Sequence, residues 1–333
     1  MTIIHLSNTI NSKNGGGIYE VVSNIIKSME FSKNISNCYF VEWYNFPYRI
    51  LFKNKSDLII HRHGLWTINS IFLLILNKLF KIPFVLHPHG LYSPIRNKKS
   101  RFKKMLFFKL IEKRLFKSAR CVIACSESEK KMFIDEKIEY SKIVVLRNGI
   151  AETFFEAIDF EKKIKNSICY FGQIIPIKNI EDPINAINEL KSNLTLKIAG
   201  YGDVQYENKL KRLVNELKLN NKISFTGPLY GEERIKLYNE CNIFILPSYN
   251  ENFGIVVLEA LSRGCKVITT TGTPWQDIKL KNLFIYKPND LMKLKEIIEM
   301  LVSSDCIEDN SEELKEYRWP SIVNELITNY KTN

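Results

Sequence analysis

The 333 residues are 45% hydrophobic and 25% charged, a balance that excludes a disordered chain and, at this length, favours two cores over one. Seven cysteines with no C-x-x-C pair suit reduced thiols, not a disulfide framework, and so point to the cytoplasm. The 48 basic and 36 acidic residues leave a formal charge of +12, which fits phosphorylated ligands, anionic lipid or nucleic acid without choosing among them.

The chain opens on MTIIHLSNTI, which reads as a buried strand because it lacks the basic start and long apolar core of a secretory signal. NGGGIYE, Asn14 to Glu20, then opens a helix over Ile18–Met29. Glycines Gly15, Gly16 and Gly17 let backbone approach a bulky ligand, and free N–H groups at a helix start attract phosphate. The G-x-G-x-x-G spacing of a dinucleotide site is absent. Strand-length apolar runs follow at Cys38–Val41, Leu58–Ile60, Phe84–Leu86, Cys121–Ala124 and Ile143–Leu146. The most apolar run, Ile71–Leu76, is cut by Asn77 and Lys78, well short of the roughly 20 residues that cross a bilayer.

Arg96–Arg120 concentrates the positive charge, with Phe102, Met105, Leu106, Leu110 and Ile111 interleaved at helical spacing, and predicts a basic amphipathic helix. It fits either a helix docked on its own sheet with snorkelling lysines or a contact with an anionic membrane surface. Strands alternating with helices imply an α/β domain, doubly wound around a mainly parallel sheet. That domain is expected over 1–158, and the polar stretch DFEKKIKN over 159–166 as a linker. A second Rossmann-like domain is expected over 167–316, with strands at Ile168–Phe171, Leu194–Ala199, Ile223–Thr226, Ile243–Leu246 and Val267–Thr270. Residues 317–333, with Trp319–Tyr330, close the chain as a helix. Two such halves place a ligand in a cleft at the carboxyl ends of their strands.

All five histidines fall in the first 89 residues and near strand ends: His5, His61 and His63 in HRHG, His87 and His89 in HPHG. An H-x-H pair on a strand turns both imidazoles to one face, as a metal-dependent hydrolase begins its site, yet neither pair has a carboxylate or cysteine adjacent. The other readings are core histidines satisfied by backbone, open for His5 and His61, and a polar-substrate contact at His89, which precedes the turn residue Gly90. Further on, YFGQIIPIKNI ends a strand and sets Lys178 before a helix, where an ammonium suits a diphosphate and an ordinary surface lysine fits equally. AGYGD, Ala199 to Asp203, is a glycine turn that suits close backbone packing as well as ligand contact.

NENFGIVVLEA, residues 250 to 260, carries Glu251 and Glu259. On one continuous helix their spacing would put them about 80° apart, which is no facing acid and base pair. The run instead predicts strand, loop and helix: Glu251 in the loop, Gly254 opening the helix, Gly264 ending it, and Glu259 over a turn inside. The N–H groups around Asn252, Phe253, Gly254 and Ile255 would take phosphate, while the two carboxylates accept from sugar and ribose hydroxyls.

These residues resemble the retaining glycosyltransferases of family 4, which have the GT-B fold, over nearly the whole chain. The resemblance rests on E-x7-E in PSYNENFGIVVLEALSRG, on FTGPLYGEERIKLYNECNIFILPS before it and TGTPW after it. Gly15 to Gly17, His63-Gly64, Pro88-His89-Gly90 and Arg147-Asn148-Gly149 match further loops of the family in the same order. It implies that Glu259 binds the ribose, and that Glu251 and the backbone through Gly254 hold the donor sugar. Lys178 would neutralise the diphosphate, with Gly16, Gly17 and Gln173 also on the donor, and His89 would contact the sugar near the reacting carbon with His63 and His87 beside it. No cofactor and no divalent metal are implied, since fixed cations and helix dipoles stabilise the departing diphosphate.

The family usually has arginine where this chain has Gln173, so Arg147 or Arg263 is expected to compensate, or the phosphate to be held less tightly. TGTPW, with Trp275, resembles bacterial enzymes of lipopolysaccharide, O-antigen and capsule synthesis, which implies a UDP- or GDP-linked donor, a glycan or lipid-linked acceptor, and a cytoplasmic protein at the inner face of the membrane. Three alternatives remain open at this level: a non-catalytic homologue binding carbohydrate or membrane, a nucleotide-sugar epimerase of the same fold, and a nucleic-acid binder, which would leave E-x7-E unexplained.

Overall fold

The structure is a computed structural model that describes residues 1–7, 12–30, 32, 35–49, 57–91, 106–190, 192–304, 310 and 312–332. The chain forms two compact units, Met1–Gly149 with Tyr317–Asn333, and Ile150–Glu316.

Unit 1 holds β1 (Thr2–Leu6), α1 (Ser12–Glu30), β2 (Asn37–Val41), β3 (Leu58–His63), α2 (Ile68–Phe80), β4 (Phe84–His87), α3 (Lys113–Ser118), β5 (Cys121–Ala124), α4 (Glu127–Asp135) and β6 (Ile143–Val145). Its six strands run parallel in the order β2-β1-β3-β4-β5-β6. Strands buried on both faces explain the near-continuous apolar runs. Ile4, Leu6, Ile60, Phe84, Leu86 and Val122 pack on one side of the sheet. Ile3, Ile59, Val85 and Ile123 pack on the other against α1. The last helix, α10 (Trp319–Thr332), belongs to this second layer, where Trp319, Val323, Leu326 and Tyr330 close over the same face.

Unit 2 holds β7 (Ile164–Phe171), α5 (Glu181–Glu189), β8 (Thr195–Ala199), α6 (Val204–Glu216), β9 (Ile223–Gly227), α7 (Glu232–Glu240), β10 (Cys241–Leu246), α8 (Ile255–Ser262), β11 (Lys266–Thr270), β12 (Leu283–Tyr286) and α9 (Leu291–Ser303). Its six parallel strands are ordered β12-β11-β10-β7-β8-β9.

Three expectations are adjusted. The stretch 159–166 holds a 3-10 turn, Phe160–Lys162, and the first residues of β7, which pair with β10 through Ile164 and Cys241, so strand pairing absorbs part of the polar segment. The division between units falls at Gly149 and Ile150, ahead of that stretch. Helix α1 starts at Ser12, which puts Gly15 to Gly17 inside its first turns and not in a loop before it. Of the basic segment, residues 96–105 lie outside the described residues; from 106 it is helical, with a π turn at Phe108–Glu112 that runs into α3. Ile71–Leu76 falls inside α2, and among the described residues no helix is long and apolar enough to cross a membrane.

Candidate functional site

In unit 2 the strand order reverses at β7, which is flanked by β8 on one side and β10 on the other. A doubly wound sheet opens a crevice at such a switch point, outside the C-terminal ends of its strands. The loop leaving β10 there is locked to those leaving β7 and β11. Tyr249 N donates to the Ile177 carbonyl at 2.9 Å and Glu251 N to that of Gly272 at 3.0 Å. The β7 loop is braced from its other side by AGYGD: a side chain on Gly200 would run into the Gly172 carbonyl, and one on Gly202 into that of Ile174. The close-packing account of those glycines therefore holds.

On this frame Lys178, at the end of the turn Pro176–Lys178, forms an ion pair with Glu251, whose Oε1 also accepts from Ser248 Oγ at 3.0 Å. Gly254 caps α8 with φ of 74°, and a Cβ there would sit 3.1 Å from Leu246 Cδ2 and 3.3 Å from Trp275 Nε1, so this turn requires glycine. Trp275 Nε1 donates to the Gly254 carbonyl at 3.3 Å, and its ring packs on Phe253 with centroids 5.1 Å apart. The Ile255 and Val256 amides thus head α8 beyond a fixed glycine, close to Glu251.

Glu259 points into the unit and is buried. Its Oε2 accepts from Tyr238 Oη at 3.0 Å, and its Oε1 lies 3.5 Å from Arg234 Nη1. Burial, helped by the neighbouring carboxylate, raises the Tyr238 pKa and keeps that hydroxyl a donor. Arg234 also lies over the rings of Phe154 and Phe171, 5.2 and 5.7 Å from their centroids. The sequence reading missed this cation; its only signal was one arginine in the otherwise acidic start of α7. Of the arginines expected to replace the charge missing at Gln173, Arg263 gives its donors to Asn239 Oδ1 at 2.7 Å and the Glu156 carbonyl at 2.8 Å. Arg147 stacks over Tyr317 in unit 1. Gln173 is exposed on the β7 loop, and its carbonyl accepts from Tyr170 Oη at 2.7 Å. Lys178, Asn252, Phe253, Gly254 and Ile255 are thereby gathered around one helix start, with Glu259 in the second turn behind them.

Unit 1 has its own switch point between β1 and β3, and the histidines collect there. The register pairs His5 with His61 and His63 with His87, so all four side chains share the α1 and α10 face of the sheet. His89 follows in the β4 loop at φ of 55°. His63 bridges two neighbours at 2.8 Å each: its Nε2 meets His5 Nδ1, and its Nδ1 meets His89 Nε2. His87 and His89 stack with centroids 3.7 Å apart, and His87 Nε2 is 3.4 Å from Cys125 Sγ. His5, His61, His63 and His87 are buried, and His89 is half-buried. Burial lowers all five pKa values, to about 3 for His5 and for His89, where Arg62 adds to the effect, and well below the usual histidine range for the others.

The loop carrying His89 is held from below by Glu129 of α4, which accepts from the amides of Gly90 at 2.8 Å and Cys125 at 2.7 Å. Gly16 and Gly17 lie in α1 of the same unit; Gly17 is exposed, with open space where a Cβ would stand.

A family model described as glycosyl transferases group 1 matches residues 152–318, and one described as glycosyltransferase family 4 matches 19–154. An uncharacterized glycosyltransferase of Methanocaldococcus jannaschii is 27% identical over 77% of this chain and 68% of its own. The capsular polysaccharide biosynthesis glycosyltransferase CapM of Staphylococcus aureus is 28% identical over 62% of this chain and 58% of its own length. The crystal structure of Anabaena HepE in complex with UDP and glucose matches all of both chains with a TM-score of 0.80 at 16% identity, a likeness of fold that agrees with the expected two-domain GT-B architecture.

Proposed function

Because the chain belongs to the glycosyl transferases of group 1 and is a glycosyltransferase, we propose that it moves a sugar from a UDP- or GDP-linked donor to a glycan hydroxyl with retention at the anomeric carbon. The observation that carries this is the Lys178–Glu251 pair at the head of α8, at the switch point of unit 2. An ammonium and the leading amides of a helix favour the diphosphate, and the adjacent carboxylate accepts from a sugar hydroxyl.

The bond from the anomeric carbon to the diphosphate oxygen breaks while that to the acceptor oxygen forms on the same face. The acceptor's proton passes to the departing phosphate. Lys178 and the α8 amides stabilise the charge that develops on the diphosphate, without a divalent metal. Glu251 orients the sugar. Glu259 accepts from the ribose, with Arg234 and Tyr238 holding its carboxylate in place. His89 contacts the transferred sugar near its reacting carbon, backed by His63 and His87, and Gly16 and Gly17 leave room for the donor on the side of α1.

The acceptor is a lipid-linked oligosaccharide of surface polysaccharide synthesis, a reading supported by CapM, itself a capsular polysaccharide glycosyltransferase. The basic segment Arg96–Arg120 then rests on the anionic inner face of the membrane from the cytoplasm. Turnover of UDP- and GDP-sugars against lipid-linked acceptors, with the product's anomeric configuration read by NMR, tests the chemistry: retention is expected, and inversion or donor breakdown without transfer contradicts it. Salt-sensitive co-sedimentation with anionic but not neutral vesicles is the outcome expected for the membrane contact.

A further inference from the structure

The sugar contact assigned to His89, backed by His63 and His87, leaves His5 and His61 without a task. His5 and His61 lie one row deeper in the sheet, on adjacent strands, and are fully buried. A neutral imidazole has one donor and one acceptor nitrogen, and both need partners when buried. Three do not have one: Nε2 of His5, Nε2 of His61 and Nδ1 of His87. Each such orphan carries the desolvation penalty of an unmade hydrogen bond, which is unusual for a purely structural core, and two of the three belong to His5 and His61.

We propose that His5, His61 and His63 form a binding site for one zinc-class divalent cation. One nitrogen from each of the three rings lies within 4.8 Å of one from each of the others. Zinc bonds of about 2.0–2.1 Å set tetrahedral nitrogens about 3.3 Å apart, so modest ring movements close the set on an ion. The donors are imidazoles alone, which suits zinc, copper or nickel and disfavours magnesium and calcium.

The surroundings fit ligation as well. Burial already holds the rings neutral, the form that binds metal. His61 Nδ1 faces Tyr330 Oη of α10 at 2.5 Å, so ligation through the orphan Nε2 leaves the other nitrogen with the outer partner that metal-bound histidines usually have. Ligation of His63 through Nε2 leaves its Nδ1–H to donate to His89 Nε2, which fixes the tautomer of the ring at the sugar site. The ion is held by residues of unit 1 alone, whereas the diphosphate contacts come from unit 2, and it takes no part in transfer.

The test uses the full-length chain without a histidine tag, refolded with or without Zn²⁺ because the rings are buried, and counts bound metal by mass spectrometry. One equivalent is expected in the native sequence. It should be lost in His5→Gln and His61→Gln; retention in both would move the ion to His63, His87 and His89, the other trio whose nitrogens converge, and overturn the assignment. Tyr330→Phe keeps all three ligands and should weaken binding about 10- to 100-fold, which guards against a failure of the glutamine variants to fold. With Co²⁺ the visible spectrum should show tetrahedral nitrogen ligation and no thiolate charge-transfer band. No bound ion in the native chain, equal binding in all three variants, or a thiolate band from a cysteine site would each overturn the proposal.

Discussion

The two units use one topology, a six-stranded parallel sheet with a switch point, yet furnish that point in opposite ways. Unit 2 places charges there in pairs, Lys178 with Glu251 and Arg234 with Glu259. Unit 1 places neutral imidazoles, stacked and partly unpartnered. The physical reason is the cost of burial. A buried carboxylate or guanidinium needs an opposite charge at hand, whereas an imidazole near neutral pH can simply shed its proton. Paired charges can be redirected to a charged ligand; neutral rings suit a neutral sugar or a metal ion.

Breaking the pairing in unit 2 gives the largest expected effect. Arg234→Leu removes the cation that faces the buried Glu259 carboxylate and should cost about 3–5 kcal/mol of stability, read by denaturant unfolding. Glu259→Gln in the same background should restore most of the loss. Recovery is the result expected of an ion pair, and its absence would assign the cost to the packing of Arg234 on Phe154 and Phe171.

The second prediction concerns the pair at the helix head. Glu251→Ala should lower transfer about 100-fold while nucleotide affinity changes little, because the carboxylate is assigned to the sugar and not to the phosphates. Equal losses in both would merge the two roles.

The third uses pH to sharpen the contrast. The histidines of unit 1 are neutral in the fold, with His5 and His89 near 3, against 6.5 when unfolded. Below about 6.5 the unfolded chain binds protons that the folded chain refuses, so unit 1 loses stability as pH falls from about 6.5 toward 3. Each ring contributes up to about 1.4 kcal/mol per pH unit in that window. Glu129, raised to about 7 by burial, works in the opposite sense: its contribution is full below about 4.5 and is lost as pH rises through 7. Urea unfolding from pH 7.5 to 4.5 should therefore show a net loss that shrinks in His5→Gln.

Much of this was legible in the sequence where a local rule governs. The strand runs, Glu251 in a loop, Gly254 opening α8 and Gly264 at φ of 70° after it all follow from apolar period and glycine placement. The start of α1 was misread because three glycines signal a loop locally, yet the segment from Ser12 is helical. The strand pairing of Ile164 with Cys241 was invisible for the converse reason, since its partner lies far along the chain and the local composition is polar. Arg234 and the convergence of five histidines were hidden too: each depends on strand order, which brings residues 5, 61, 63, 87 and 89 together and leaves only their spacing in the sequence.

The most direct test of the donor site is calorimetric titration of UDP and GDP into the native chain and into Lys178→Ala. The site described here predicts that the better-bound nucleotide loses about 10- to 100-fold in affinity with the ammonium, the worth of a hydrogen bond to a charged group. Equal affinity in the two proteins would place the diphosphate elsewhere and contradict the account.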